Sequence, residues 1–297
     1  TVDRGKVTAV GPGQATVVAS YTKDGQRYMA KCSVYVFGGI LAQGDVPGDG
    51  GNIKWVIDDS GLMIISGNGA MEDSSYGFKN PWLDYKKKIK KIIINEGIET
   101  IGEEAFRYSS VETLVLPSTL KSIGEFAFGE CENLTDVVFP SELQSEWAMI
   151  WHGAFCDCVN LNDIKIPEGI GGIADLVFSG CSNLKTVYLP VSLRGIGIGT
   201  FYECENLKDV YYAGTAEQWE NLGLTETQNE VLHTARIHLA DGSIYTPPIG
   251  GIFGDLTWSF SQDGVLTISG YGEMEDFTVS GSTTANTPWL EYRHKIK

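Results

Sequence analysis

The chain has 297 residues, a mass of 32.4 kDa and a formal charge of −16, from 22 Lys and Arg against 38 Asp and Glu. That balance argues against a nucleic-acid binder, which needs clustered positive charge. Hydrophobic residues at 42% exclude wholesale disorder, and no apolar run reaches the roughly 18 residues of a membrane span. Thirty-six glycines point to many turns and short strands rather than long helices.

Residues 1–37 alternate apolar and polar positions in three strands around PGQ and KDGQ turns. The stretch DRGKVTAVGPGQAT resembles the last part of a bacterial immunoglobulin-like domain of group 2, which implies a partial all-β sandwich. Residues 38–52 are a Gly/Pro-rich linker.

Residues 53–91 carry IKWVIDDSGLMIISGNGAMED and then NPWLDYKKKIK. DDSG between two apolar runs predicts a hairpin. The block runs directly into the repeats described next, so it is expected to cover their exposed end as a β-hairpin cap. A second copy begins at residue 251: Trp55, Gly61, Met71, Pro81, Trp82 and Tyr85 recur as Trp258, Gly264, Met274, Pro288, Trp289 and Tyr292. That copy stops at Lys297, inside the pattern, and the expectation is of a further array in a longer protein.

Residues 92–213 hold the repeats. FGECENLTDVVFP from Phe128, FCDCVNLNDIKIP from Phe155, FSGCSNLKTVYLP from Phe178 and FYECENLKDVYYA from Phe201 align, and FRYSSVETLVLP from Phe106 is a copy one residue short. Their Phe residues are 22, 27, 23 and 23 apart, the longest interval holding the insertion SELQSEWAMIW. A repeat near 23 residues predicts stacked coils, each supplying one strand to a parallel sheet. Each coil would bury a Phe and an aliphatic residue (Val111, Leu134, Leu161, Leu184, Leu207). Cys131, Cys158, Cys181 and Cys204 form a thiol column, and Asn133, Asn160, Asn183 and Asn206 a column bonding backbone at a tight corner. In strands such as Val137-Val138-Phe139, the first and third residues face inward and the second outward.

These motifs, phrased IxxxAFxxCxNLxxVxxP over five copies, resemble the BspA-type leucine-rich repeats of bacterial surface proteins. The resemblance implies a solenoid displayed outside the cell, on the surface or secreted, with a protein or glycan of a host or neighbouring cell as partner. Residues 214–250 are similar to the segment that closes such arrays.

Reactive chemistry is sparse. His152, His233, His238 and His294 form no metal or catalytic spacing and read as surface histidines. For the cysteines, buried thiols fit better than bridges, because ladder side chains run parallel. Paired carboxylates such as Asp58-Asp59 and Glu103-Glu104 read as acidic surface, and KKKIKK at 86–91 as a solvated face with Ile89 turned inward. Neither a cofactor nor a metal is expected. One surface stands out. The outward strand positions Ile93, Val115, Val138, Lys165, Tyr188 and Tyr211 form an apolar-to-aromatic stripe beside Lys91, Thr113, Asp136, Asp163, Thr186 and Asp209. Ile93, Val115, Val138, Tyr188, Tyr211, Asp136, Asp163 and Asp209 are therefore the candidate ligand-binding residues. The competing reading is a β-face that simply selects such residues, or one covered by residues 214–250. The functional expectation is a non-catalytic adhesion module; the alternative is a targeting or spacer region of a large secreted hydrolase.

Overall fold

The computed structural model describes the chain except residues 1, 4–5, 8–12, 25, 47–51, 74–79, 146, 223, 225–227, 230, 246–248, 254–255, 261–264 and 271–297. The chain divides into two compact units, Thr1–Gly242 and Ser243–Lys297.

The first unit is a solenoid with two strands per coil, where the repeat pattern predicts one. The front strands are Lys91–Ile94, Thr113–Val115, Asp136–Val138, Asp163–Lys165, Thr186–Leu189, Asp209–Tyr212 and Arg236–His238. They pair in parallel and in register in two hydrogen-bonded segments, the break falling between Val138 and Lys165. That is the coil carrying the 27-residue interval. Behind them Ile98–Ile101, Ser122–Ile123, Ala148–Ile150 and Ile170–Ile173 form a second parallel sheet, continued by a bridge from Ile173 to Ile196. Both sheets turn aliphatic side chains inward: Leu114, Val137, Ile164, Val187 and Val210 from the front, Ile101, Ile123, Ile150 and Ile173 from the back, all buried. Burying such a side chain contributes roughly 1.5–3 kcal/mol.

The third side of each coil is a turn built around the Phe. Phe106, Phe128, Phe155, Phe178 and Phe201 are fully buried and stack nearly parallel, with centroids 5.3, 5.4, 5.7 and 5.8 Å apart. Their main chains are also joined from coil to coil: the Phe106, Phe128, Phe155 and Phe178 amides donate to the carbonyls of Ala127, Ala154, Val177 and Thr200. The turn bends on two left-handed residues, two before and two after each Phe: Glu104 and Tyr108, Phe126 and Glu130, Gly153 and Asp157, Leu176 and Gly180, Gly199 and Glu203, with φ between 51° and 74°. At Gly180 a Cβ would come within 2.1 Å of Asp157 Oδ1, so a side chain there would have to displace that carboxylate.

The thiol column is internal as expected, and has a bonding role that the sequence does not reveal. Cys131, Cys158, Cys181 and Cys204 are buried and unbridged. Each Sγ donates to the carbonyl of the preceding coil's Phe (Phe106, Phe128, Phe155, Phe178) at 3.1–3.3 Å. Desolvation pushes the Cys131 thiol up to about 11 and Cys204 to about 12, and raises Cys158 and Cys181 well above the ordinary value. In the shortened first coil Ser109 takes the cysteine's place, its Oγ 3.3 Å from Cys131 Sγ. The asparagine column lies at the corner as expected, and its side chains are exposed there. Asn160 donates to the Glu132 carbonyl at 2.8 Å and Asn206 to the Ser182 carbonyl at 2.7 Å.

Both ends of this core are sealed. At the start, Ile40–Asp45, Lys54–Asp58 and Leu62–Ser66 form an antiparallel meander whose last strand pairs in parallel with Lys91–Ile94. The DDSG turn forms because Asp58 Oδ1 accepts from the Ser60 and Leu62 amides and Ser60 Oγ, with Gly61 at φ 86°. Trp82 lies on the aromatic stack, 5.0 Å from Phe106, and donates Nε1 to the Ala105 carbonyl. At the far end a short helix, Ala216–Glu220, opens with a Thr215/Gln218 capping box and buries Trp219. Asn229 is buried and completes the ladder. Its Oδ1 accepts from the Phe201 amide at 2.9 Å and its Nδ2 donates to the Gly197 carbonyl at 3.1 Å.

Before the meander, Gly13–Lys23 and Gln26–Val36 form one long antiparallel hairpin around the KDGQ turn. A hairpin occurs in many all-β folds and does not by itself establish an immunoglobulin-like sandwich; of the expected PGQ turn, Pro12 lies outside the described residues and Gly13 and Gln14 open the first strand. In the second unit, Ile249–Phe253, Leu256–Phe260 and Leu266–Gly270 form an antiparallel meander like the one at residues 40–66. Its SQDG turn and the recurring residues beyond 270 lie outside the described residues.

Candidate functional site

The strand alternation places the proposed stripe on the front face with one correction. Ile93 is 4% exposed and does not reach solvent. Its strand pairs with the meander, setting Ile93 beside Ile64, and Tyr35 of the long hairpin shares a recess with both Leu62 and Ile93. The open stripe starts at Val115, which is half-buried, and continues through Val138, Lys165, Tyr188 and Tyr211. The described part of residues 214–242 does not cover it: Val138 is 41% exposed and both tyrosines are 39% exposed.

The structure adds a residue that the repeat pattern does not flag. Arg236–His238 forms one further front strand, with His238 opposite Tyr211. The rings of Tyr188, Tyr211 and His238 stack in file, 4.8 and then 4.3 Å apart and within 13° of parallel. Parallel register on adjacent strands enforces this spacing, since neighbouring strands lie about 4.8 Å apart. The rings cover one another's faces, so what they offer a ligand is mainly edges, two phenol oxygens and an imidazole.

A groove of about 340 Å³ runs beside this file, lined among others by Lys165, Pro167, Tyr188, Pro190, Tyr211 and His238. The prolines fix its floor, because they end the front strands and turn the chain toward the back sheet. Glu168 also borders it, but its carboxylate already accepts from the Val191 and Ser192 amides.

The acidic column is not uniform. Asp136 and Asp163 are exposed. Asp209 is engaged: its carboxylate accepts from His238 Nε2 at 2.7 Å and Arg236 at 2.8 Å, which holds it below the ordinary carboxylate range. Asp209 therefore orients the imidazole at the end of the ring file, while Asp136 and Asp163 supply the free negative charge.

Reactive groups do not converge here. Among the described residues, no group of three His, Cys, Asp or Glu side chains is placed to hold a metal ion. His152 packs edge-on against Phe126, 5.2 Å away, and Cys156 is buried with its thiol raised to about 11. The His233 side chain and His294 lie outside the described residues. Among the described residues no helix is long and apolar enough to cross a membrane.

Comparison with known proteins agrees with this architecture. The profile of the BspA type leucine rich repeat region matches residues 80–146 and 142–223 with six copies. No curated protein sequence matches the chain. A leucine-rich repeat protein from Eubacterium ventriosum is similar in structure, with 27% identity, a TM-score of 0.50, and 58% of this chain and 44% of that one covered. A leucine rich cell surface protein from Faecalibacterium prausnitzii matches at 25% identity and a TM-score of 0.40, over 58% of this chain and 40% of that one. The chain thus spans less than half the length of these two relatives. The match at 27% identity, the six profile copies and the internal columns agree: residues 80–223 are BspA-type leucine-rich repeats.

Proposed function

We propose that this chain is a non-catalytic adhesion module of a bacterial cell-surface or secreted protein. It binds a macromolecule through the front face of its solenoid, at Val115, Val138, Tyr188, Tyr211 and His238, with Asp136 and Asp163 on the rim. One observation carries the reading: the file of exposed aromatic rings beside a groove, held in register by a fully packed core. Tyr is favoured at interfaces because it buries a large area with few rotamers to freeze. The rim carboxylates favour a partner surface with exposed apolar and basic groups.

The test is a binding screen of the chain against extracellular-matrix proteins and glycans, repeated with Tyr188→Ala/Tyr211→Ala. Removing two central aromatic contacts is expected to weaken binding by about 2 kcal/mol or more, roughly thirtyfold, at unchanged thermal stability. A ligand that binds the double variant as tightly as the native chain would remove the front face from the account.

A further inference from the structure

The front face leaves one charged feature unused. Lys86, Lys87, Lys88, Lys90 and Lys91 fall within six consecutive positions of a chain whose formal charge is −16. Between residues 83 and 91 the only carboxylate is Asp84. Lys87, Lys88 and Lys90 are exposed, Lys86 and Lys91 half-buried. Among the described residues none of the five pairs with a carboxylate. Four other cations of the same molecule do: Lys54 with Asp45, Lys121 with Glu99, Arg107 with Glu104 and Glu130, Arg236 with Asp209, while Lys165, Arg194 and Lys208 stand singly along the chain without one among the described residues. Lys86 instead lies over the Tyr108 ring, 5.2 Å from its centroid.

The fold does not require these ammonium groups. It requires Ile89, which is fully buried, and the main-chain path. The Lys90 and Lys91 amides donate to the Gly61 carbonyl, the Lys86 carbonyl accepts from Ser110, and the Lys90 carbonyl from Glu112 and Thr113. Any side chain permits these bonds. Adjacent like charges repel, so this run costs stability that only the Lys86 contact with Tyr108 offsets among the described contacts.

The sequence keeps the charge all the same. At an offset of 207, Tyr-Lys-Lys-Lys-Ile-Lys recurs as Tyr-Arg-His-Lys-Ile-Lys, so positions 86, 87, 88 and 90 are matched by Arg293, His294, Lys295 and Lys297. A cation elsewhere in the same block is not kept: Lys54, which has a partner, is matched by Thr257. What recurs is the basic run of the sequence. Beside it, Lys90 and Lys91 line a recess of about 280 Å³ with Tyr35, Ser60 and Leu62.

We infer that the basic run at residues 86–91 is a docking site for a sulfated polysaccharide, whose sulfate groups pair with Lys87, Lys88 and Lys90 while one sugar unit enters the recess at Lys90 and Lys91. Short lysine-rich runs of this length suit such polyanions. Lysine serves as a compact, mobile point charge for anionic groups spaced along a flexible chain. A slender chain also touches the patch alone; a DNA duplex or a bilayer would bring its charge against the acidic remainder of the surface. The site is separate from the front-face reading and does not depend on it.

The experiment measures binding of heparin to the full chain at about 50 and 200 mM salt, beside selectively desulfated heparin, duplex DNA and phosphatidylserine vesicles. Lys87→Gln/Lys88→Gln/Lys90→Gln is expected to weaken heparin binding on the order of tenfold or more and to flatten its salt dependence. Lys121→Gln/Lys185→Gln/Lys208→Gln, which lowers the charge equally, is expected to leave it unchanged, as is Tyr188→Ala/Tyr211→Ala. Lys87→Arg/Lys88→Arg/Lys90→Arg is expected to retain it, which separates loss of charge from loss of fold. No heparin binding at low salt, equal loss in both glutamine triples, or stronger binding of DNA or vesicles than of heparin would overturn the proposal.

Discussion

The interior and the front face of the solenoid differ in how far one coil resembles the next. Inside, coil after coil repeats the same atoms: a Phe in the stack, a thiol on the previous Phe carbonyl, an aliphatic residue before the strand. Outside, the file on adjacent strands reads Val115, Val138, Lys165, Tyr188, Tyr211, His238, with hardly a repeat. Inner side chains meet their own equivalents 5–6 Å away, so a change in one coil must suit both neighbours. Outer side chains face water on one side and are free to differ. A solenoid can therefore hold its backbone fixed and vary what it displays.

The most direct way to break this contrast is Phe155→Ala. Removing a fully buried ring from the middle of the stack is expected to cost about 3–5 kcal/mol, read from urea unfolding. A loss below about 1 kcal/mol would mean the column is not a packed core. Asn229→Ala should come next. It strands the Phe201 amide, while the Gly197 carbonyl keeps the Thr200 hydroxyl, at about 1–3 kcal/mol, with amide exchange accelerating first around Phe201.

The thiol column predicts a pH effect of definite sign. The thiols titrate at about 9.0 when unfolded, and burial raises Cys131 to about 11 and Cys204 to about 12. The folded state thus holds protons that the unfolded state releases. The contribution is complete below about pH 9 and falls away as pH rises toward 11–12, so the melting temperature should drop in that window. Replacing all four column cysteines with serine should flatten that drop; an unchanged alkaline profile would assign it to other groups. The smallest expected effect is a gain. Glu203 is exposed at φ 59°, and Glu203→Gly should raise stability by up to about 1 kcal/mol, read as a higher urea midpoint.

What the sequence shows, and what it hides, follows the same division. The Phe, Cys and Leu columns are legible because inner packing imposes identity at fixed intervals. The back sheet is not, because strands as short as Ser122–Ile123 have no room for a period-two signature. Ile93 is misplaced for a related reason: in the run KIII one face meets the core and the other meets Ile64 and the hairpin, so alternation carries no information. His238 escapes notice because a helical excursion separates it from the last repeat, while its strand still docks in register.

Asn229 has a consequence for how the array ends. Every other Phe amide finds its acceptor on a following turn of chain; at Phe201 a single carboxamide imitates that turn, offering one acceptor and one donor where a backbone would. The ladder of Phe turns thus closes on one side chain acting as a counterfeit rung. Without it, the Phe201 amide would be left inside the last turn with no acceptor.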